Sequence, residues 1–335
     1  MTQQTGRETA LQQSDGQNGK PPVDLVIDTD PGQDDALAIM MAFGLEKMGL
    51  AKVRAIHAVA GNVGLELTQR NARVVRDWVG RPDVPVRAGA SRPLLKPLLT
   101  AEHVHGKTGL DGVELHEPRA GLSPEHAVDA LRELLLNAPE RSVTVCAIGP
   151  LTNLGLAFAT DPKIARGVKS VVVMGGCYFE PGNVSPNADF NFFVDPAAAQ
   201  IVLNAGVDLK IIPLDVTHKV LSNALRIERL KSLPNENGPR AAAILSGFER
   251  YDADKFGLGG GPMHDPCAIA MCVAPEMFSG RRVHVGVETS QSQAEGASIV
   301  DWADTLGLEP NAFWANGADD EAFFELFTQA IAHLP

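Results

Sequence analysis

Basic residues are scarce in this chain of 335 residues. Lysine and arginine together number 29, against 41 aspartates and glutamates, so the formal net charge is −12 and the pI is near 5.2. A protein that binds nucleic acid or an anionic membrane needs a basic surface that neutralises phosphates. The charge balance therefore argues against both kinds of partner and favours a small neutral substrate.

Cysteines are few, and long hydrophobic runs are missing. The four cysteines have no C-x-x-C spacing, so we expect buried, reduced thiols at Cys146, Cys177, Cys267 and Cys272. No apolar run approaches the ~20 residues that a transmembrane helix needs. Residues 1–22 are polar and lack the apolar segment of a secretory signal. We predict a disordered tail over 1–22, a domain over 23–335 and a cytoplasmic location.

Short apolar runs alternate with helix-length segments along most of the chain. The predicted strands cover residues 23–28, 53–61, 84–89, 142–149, 168–176 and 207–216. The helix predicted over 123–138 has Ser123 as its N-cap. This alternation is typical of βαβ units and predicts a single α/β domain, with a mostly parallel, open, Rossmann-like sheet flanked by helices. Ligands of such sheets bind beyond the carboxyl ends of the strands.

Four aspartates within eight positions follow the first predicted strand, namely Asp28, Asp30, Asp34 and Asp35. Two carboxylates ~4 Å apart repel by ~4 kcal/mol at an effective dielectric constant of about 20. A helix N-terminus offsets only ~0.3–1 kcal/mol per charge. A single aspartate here could simply cap the next helix, as Asp30 or Asp34 would, but capping does not account for four. A bound cation explains them better, and oxygen ligands favour Ca²⁺, Mg²⁺ or Mn²⁺ over zinc.

Two histidines also stand in notable contexts. His264 and Asp265 follow a glycine run and precede Pro266 at the start of an apolar segment. Asp265 as N-cap with Pro266 at the first helical position is a complete structural explanation, and a functional site is an equally consistent one. His105 lies in a loop punctuated by glycines, where binding residues are often found.

Eight segments, taken together and in this order, resemble the nucleoside hydrolases, the inosine-uridine-preferring nucleoside N-ribohydrolases. They are DTDPGQDDALA (28–38), AGNV (60–63), HVHGKTGLDG (103–112), AIGPLTNL (147–154), VVMGG (172–176), PGNVSPNADFNFFVDPAAA (181–199), PLDVTH (213–218) and MHDPCAIA (263–270). The resemblance implies Ca²⁺-dependent hydrolysis of the N-glycosidic bond of a ribonucleoside to ribose and free base. It also implies a homodimer or homotetramer.

The resemblance further implies a role for each matching residue. Asp30, Asp35, Asp265 and the backbone carbonyl of Ile148 would bind the Ca²⁺. Asp30 would also be the general base that activates the attacking water, and Asp28 would hydrogen-bond within its loop and orient the ligands. The ribose would be bound by Asp34, Asn62, Asn183, Asp189 and Asn191. His264 would protonate the leaving base, and His105 would face the base.

Three features bear on specificity within the family. Relatives with tryptophan in place of His264 favour purine nucleosides, so we predict the inosine/uridine or pyrimidine type for this chain. The family usually has glutamate at the position of Asp189, so the shorter arm can move a 5′-hydroxyl contact. Tyr251 and Phe256 are the nearest candidates for stacking on the base.

Two other functions are consistent with parts of the sequence. An apolar strand followed by D-x-D also occurs in haloacid-dehalogenase-like phosphatases, where Asp28 would be the nucleophile. That motif, however, has Thr or Val where Gly32 stands. The second alternative is a catalytically silent nucleoside-binding protein that has kept the fold.

Overall fold

A computed structural model of the chain describes residues 21–248, 255 and 257–335. Most of the predicted tail, and both Tyr251 and Phe256, lie outside the described residues. Among the described residues, no helix combines the length and apolarity that crossing a lipid bilayer requires.

Ten strands and twelve α-helices make up the described fold. The strands are β1 (Val23–Thr29), β2 (Ala51–Ala58), β3 (Val86–Ala88), β4 (Val143–Ala147), β5 (Val168–Met174), β6 (Leu209–Ile212), β7 (Phe278–Val283), β8 (Val285–Val287), β9 (Ser298–Val300) and β10 (Ala312–Ala318). The first six helices are α1 (Gln33–Lys47), α2 (Leu65–Trp78), α3 (Glu102–His105), α4 (Ala127–Asn137), α5 (Thr152–Thr160) and α6 (Phe190–Val194). The other six are α7 (Pro196–Leu203), α8 (Leu214–Thr217), α9 (Ala224–Lys231), α10 (Asn237–Phe248), α11 (His264–Val273) and α12 (Asp320–Ala332).

Eight strands form one sheet in the order β3-β2-β1-β4-β5-β6-β10-β7. All neighbours are parallel except β10 and β7, which are antiparallel. The strands β8 and β9 form a separate antiparallel pair. The chain moves from β1 to one side through β2 and β3, and then to the other side through β4, β5 and β6. Because the strand order reverses between β1 and β4, a crevice opens at their carboxyl ends. The predicted fold class is confirmed.

Helix α1 is buried along almost its whole length. Its residues from Gln33 to Leu45 are all buried, and it packs against α11 and α12 as well as the sheet. Its sequence ALAIMMAFGL is apolar on every side, which is the pattern of a helix enclosed by protein. Because Asp34 and Asp35 lie in the first turn of α1, this packing fixes both aspartates at the edge of the core.

Two local predictions were wrong. Helix α4 begins at Ala127 with His126 as its N-cap, and His126 Nδ1 accepts a hydrogen bond from Val128 N at 3.3 Å. Ser123 does not cap this helix. Its backbone pairs alongside β3 instead, where Ser123 N donates a hydrogen bond to Val86 O at 2.9 Å. The strand predicted over 207–216 ends at Ile212, since the next residue is a proline that has no N–H for the ladder.

The prediction of buried cysteines holds for three of the four. All four are free, and Cys146, Cys177 and Cys267 are buried, while Cys272 is partly exposed. They lie in the apolar interior and serve as packing residues.

We expect Gly44→Ala to destabilise the fold by about 1–3 kcal/mol, because an added methyl group would collide with the backbone of Ala330 in α12. Gly247→Ala in α10 is the matched control, since among the described residues its added Cβ meets only Asp111 O, at 4.0 Å. Alanine is the better helix former, so the control should be neutral or slightly stabilising. Chemical denaturation of both variants measures the difference. Equal stability of the two would show that the contact between α1 and α12 is not close.

Candidate active site at the carboxyl ends of the strands

A cavity of about 480 Å³ lies at the strand ends, a volume that suits a small molecule. Nine of the eleven predicted site residues line it: Asp34, Asn62, His105, Ile148, Asn183, Asp189, Asn191, His264 and Asp265. Asp30 and Asp35 are buried and adjoin the cavity through Asn62, to which both are hydrogen-bonded. The fold thus brings together residues from most of the motifs that stand at separate strand ends in the sequence.

Asp35 is held rigidly in the first turn of α1. Its Oδ2 accepts hydrogen bonds from Gly32 N at 2.9 Å and from Asn62 Nδ2 at 3.1 Å. Its Oδ1 accepts from Thr29 Oγ1 at 2.5 Å and from Asp30 N at 3.2 Å. Gly32 is the N-cap residue of α1, and Asp35 reaches back to the Gly32 backbone. The capping role therefore belongs to Asp35 and not to Asp30 or Asp34.

Asp30 is enclosed on two sides by glycines. An added Cβ at Gly61 or at Gly149 would collide with its carboxylate. Its Oδ2 accepts a hydrogen bond from Asn62 N at 2.7 Å. Its Oδ1 is buried and has no hydrogen-bond partner among the described residues. A buried carboxylate oxygen without a donor is costly, so this atom is available to a cation or to a water.

The closely spaced carboxylates of the site need a compensating positive charge to remain ionised. Burial raises the pKa of Asp30 well above its usual range, and the neighbouring carboxylates of Asp35 and Asp34 raise it further. Burial likewise raises the pKa of Asp265, and the nearby carboxylates add to that effect. Ligand oxygens of Asp35 and Asp265 lie within 4.8 Å of each other. A bound divalent cation would reverse these shifts, because an adjacent positive charge favours the ionised carboxylate.

A cluster of three aspartates fits a metal ion. Ligand oxygens of Asp34, Asp35 and Asp265 all lie within 4.8 Å of one another, and all three residues are buried. Together with the orphaned Asp30 Oδ1, this set consists of oxygen atoms alone, which suits a hard cation such as Ca²⁺ or Mg²⁺. Asp34 belongs to this cluster, although the resemblance assigns it to the ribose. The structure contains no ion.

The other predicted metal ligand is a backbone atom. Ile148 O, just beyond β4, accepts a hydrogen bond from Asn191 Nδ2 at 3.1 Å. Asn191 Nδ2 also donates to Met174 O at 3.0 Å, so this one amide joins the ends of β4 and β5. A carbonyl oxygen has two lone pairs, and Ile148 O can still accept from a second partner.

Asp189 is occupied by backbone donors. It is the N-cap of α6, and its carboxylate accepts hydrogen bonds from Gly176 N at 2.5 Å and from Asn191 N at 2.9 Å. Burial raises its pKa to about 6, while these backbone donors lower it. Asn183 Oδ1 accepts from Phe190 N at 2.9 Å. Both side chains therefore stabilise this wall of the cavity and also line it.

The two histidines enter the cavity from different elements. His264 is the first residue of α11, and its Nδ1 lies 2.7 Å from Thr217 Oγ1. The N-cap position of α11 is Met263, so the alternative in which Asp265 is the N-cap was wrong. His105 ends the short helix α3, and its Nδ1 lies 2.6 Å from Gln33 Oε1. Both rings are buried against their partners.

The side chain of Asp28 is hydrogen-bonded to a residue far away in the sequence. Its Oδ2 accepts a hydrogen bond from Asn153 Nδ2 of α5 at 2.9 Å, so the predicted bond within its own loop was wrong. Asn153 Oδ1 in turn accepts from Ala90 N at 2.7 Å. Burial raises the pKa of Asp28 to about 7, and the bond from Asn153 lowers it. Asp28 thus ties β1 to α5 and to the segment after β3.

The sequence reasoning missed three supporting residues. Thr217 and Gln33 hold the two histidines, and Asp215 accepts three backbone N–H groups from residues 178–180 and Trp314 Nε1 at 2.9 Å. Thr217 and Asp215 both lie in the segment PLDVTH (213–218). This segment is one of those that resemble the family, but none of its residues had an assigned role. Their partners are 35–99 residues away, so only the fold reveals them.

Comparisons with known proteins by sequence and by structure find nucleoside hydrolases in each case. A family described as inosine-uridine preferring nucleoside hydrolase matches residues 25–325. An uncharacterised protein of Schizosaccharomyces pombe is 42% identical over 311 residues, which cover 93% of this chain and 99% of that protein. The pyrimidine-specific ribonucleoside hydrolase RihA of Klebsiella pneumoniae subsp. pneumoniae is 38% identical over 309 residues, which cover 92% and 98%. The solved structure of a purine-preferring ribonucleoside hydrolase from Gardnerella vaginalis has a TM-score of 0.85 at 28% identity and covers 92% and 98%.

We expect divalent cations to raise the unfolding temperature of the protein and a chelator to reverse the rise. A ligand at one hundred times its Kd stabilises the folded state by ~2.7 kcal/mol. Asp265→Asn should abolish most of this increment, because it removes one charged ligand from the cluster.

Asp195→Asn provides the matched control for that experiment. Asp195 is also a buried acid, but it caps α7 and accepts from Thr152 Oγ1 at 2.7 Å, outside the cluster. This variant should have a lower unfolding temperature and an unchanged increment from the cation. An equal increment in Asp265→Asn and in the wild type would contradict a metal site at Asp265.

Proposed function

Because the chain belongs to the family of inosine-uridine-preferring nucleoside hydrolases, and is thus a ribonucleoside N-ribohydrolase, we propose that it is Ca²⁺-dependent and of the inosine/uridine or pyrimidine type. Uridine is the substrate common to both types. The single observation that carries the proposal is the acidic cluster beside a cavity that also contains two buried histidines. Such a cavity offers oxygen ligands at one end and proton donors for a departing base.

The chemistry demands three things of the site. Cleavage of an N-glycosidic bond passes through a sugar with oxocarbenium character, so positive charge on the ring must be stabilised. The attacking water must lose a proton, and the departing base must gain one. Buried carboxylates, a general base and an imidazole meet these demands in turn.

Asp30 is the residue we assign as general base. Its Oδ1 is buried without a donor, while its Oδ2 is fixed by Asn62 N at 2.7 Å. This leaves Oδ1 as the carboxylate oxygen that would take the proton from the attacking water. Asp35, Asp265 and the Ile148 carbonyl, together with Asp30, would hold the cation. The cation, when bound, supplies Lewis acidity that makes a water easier to deprotonate.

His264 is the residue we assign to the leaving base. The contact between its Nδ1 and Thr217 Oγ1 at 2.7 Å orients the ring in the wall of the cavity. Imidazole titrates near neutral pH, so such a side chain can donate a proton under ordinary conditions. Two observations support the pyrimidine type: the presence of His264, and the 38% identity to a protein named as pyrimidine-specific.

Asn62 and Asn191 line the cavity, and both are among the residues that we propose bind the ribose. A site that pairs carboxylates and amides with the sugar hydroxyls discriminates against a sugar that lacks one, because its buried polar groups are then left unpaired. We therefore propose that ribonucleosides are hydrolysed in preference to 2′-deoxyribonucleosides.

The first test is the release of free ribose from uridine, cytidine, inosine and adenosine by the purified, Ca²⁺-loaded protein. We expect release from uridine, and faster release from the pyrimidine nucleosides than from adenosine. Faster release from adenosine would contradict the proposed substrate type. Nucleoside binding without any release would instead favour the catalytically silent protein.

The second test separates protonation of the base from the other steps. His264→Ala should lower kcat on uridine by ~10²–10⁴, since it removes a general acid. It should have little effect on p-nitrophenyl β-D-ribofuranoside, because nitrophenolate leaves without being protonated. Thr217→Val should show the same pattern with a smaller loss, because it removes only the partner of Nδ1. Equal losses on both substrates would contradict the assignment of His264.

A further inference from the structure

Lys96 is a largely buried cation that the proposed reaction does not use. It lies in the segment of residues 89–101, which connects β3 to α3 and belongs to neither a helix nor a strand. Only 16% of its side chain is exposed. The segment forms part of the cavity wall, because Leu99 and Ala101 line the cavity. A segment without regular backbone pairing depends on its other contacts for a fixed position.

Three contacts converge on the ammonium group of Lys96. Its Nζ donates a hydrogen bond to Phe193 O at 2.8 Å and lies 2.9 Å from Glu295 Oε2. The same atom is 3.8 Å from the centroid of the Phe193 ring, within the range of a cation–π interaction. A cation withdrawn from water is costly unless it is paired and hydrogen-bonded, and Lys96 has both kinds of partner. The contact therefore differs from a loose ion pair on the surface.

The partners of Lys96 belong to two other parts of the fold. Phe193 is in α6, and both the helix and the Phe193 side chain contribute to the lining of the cavity. Glu295 is in the connection between β8 and β9, and its side chain is only 14% exposed. In the same connection, an added Cβ at Gly296 would lie 2.7 Å from Phe193 Cα. Lys96 therefore joins three segments that meet at Phe193.

Two backbone amides on either side of Lys96 are also hydrogen-bonded to neighbouring parts of the fold. Leu94 N donates to Asp195 Oδ2 at 2.9 Å, and Ala101 N donates to Asn62 O at 2.9 Å. Lys96 lies between these two points, on the stretch that carries the lining residue of the wall. The two amide hydrogens therefore report how firmly this stretch is held.

We propose that Lys96 is a positioning residue that fastens residues 94–101 to α6 and to the β8–β9 connection, and so fixes a wall of the cavity to which the nucleoside binds. This inference rests on the proposed function, because it takes the ligand of the cavity to be a ribonucleoside. Neither Phe193 nor Glu295 is assigned to the metal, the attacking water or the departing base. Loss of the Lys96 contacts should therefore weaken substrate binding without slowing the chemical step.

Hydrogen exchange of the folded protein tests the fastening directly. In Lys96→Met, which keeps the length of the side chain but removes its charge, the amides of Leu94 and Ala101 should exchange ~10-fold faster, the effect of about one lost hydrogen bond. Lys96→Arg should keep most of the protection, because a guanidinium is still charged and still donates. Unchanged exchange in Lys96→Met would overturn the proposal.

A second variant approaches the same contact from the other partner. Glu295→Gln removes the negative charge but leaves Lys96 its hydrogen bond to Phe193 O. It should speed the exchange of the same two amides by a smaller factor. This variant decides the matter if Lys96→Met does not fold, and unchanged exchange in Glu295→Gln would then overturn the proposal.

Arg226→Met is the matched control. Arg226 also donates to a backbone carbonyl, Leu221 O at 2.8 Å, pairs with Asp320 at 2.8 Å, and has its Cζ 3.9 Å from the centroid of the Phe324 ring. Its side chain is 13% exposed, and it is not among the residues that line the cavity. This variant should be less stable but should leave exchange in residues 94–101 unchanged. Equal acceleration there in both methionine variants would overturn the specific role of Lys96.

Steady-state kinetics test the consequence for the substrate. Lys96→Met should raise KM for uridine by ~10-fold with little change in kcat, because the lost contact acts on binding alone. Lys96→Arg should restore KM, and Arg226→Met should leave both constants unchanged. A fall in kcat at unchanged KM in Lys96→Met would overturn the positioning role, because the lost interaction would then act only in the transition state.

The two readouts distinguish this inference from the proposed function. Failure of the wild type to release ribose from uridine would contradict the proposed function. Amide exchange is measured without any turnover, so the fastening by Lys96 stands or falls separately. Faster exchange with an unchanged KM would overturn the claim that the fastened wall binds the substrate.

Discussion

The burial of several carboxylates close together is the constraint on which the rest of the site depends. Asp30, Asp35 and Asp265 are almost fully buried, and burial raises the pKa of each. Carboxylates this close together and shielded from water cannot all remain ionised without a compensating positive charge. A fold that keeps them there does so at a cost in stability, which points to a function that uses a cation.

The surrounding structure is arranged to hold these carboxylates in place. Asn62 contacts both Asp30 and Asp35, and Asn153 contacts Asp28, so one residue after β2 and one from α5 hold these aspartates. Two glycines, Gly61 and Gly149, leave the room that the Asp30 carboxylate occupies. These contacts lie at the point where the strand order reverses. The site is therefore a direct product of the sheet topology and of small residues at the strand ends.

Much of this could be predicted from the sequence because the relevant signals are local. Apolar runs separated by helix-length segments predicted the parallel sheet, and the aspartates of residues 28–35 predicted the acidic site. The boundaries that failed depended on tertiary contacts. Ser123 looks like a helix cap, but its N–H donates a hydrogen bond to Val86 O of β3. Asp265 looks like another, yet the N-cap position of α11 falls at Met263.

The supporting residues of the site could not be predicted, because each acts on a partner far away in the chain. Nothing in the sequence near Gln33 indicates that it contacts His105, and the same holds for Thr217 and His264. The pairings arise only when α1 meets the loop of α3, and when α8 meets α11. Sequence motifs therefore predict most of the residues that line this cavity, while the fold shows what orients them.

A crystal structure grown with Ca²⁺ and ribose would test the central claim most directly. The account predicts one Ca²⁺ ion bound by Asp35, Asp265 and the carbonyl of Ile148, within reach of Asp30, with ribose hydroxyls beside it. Ribose bound in the cavity with no ion beside these carboxylates would contradict the account.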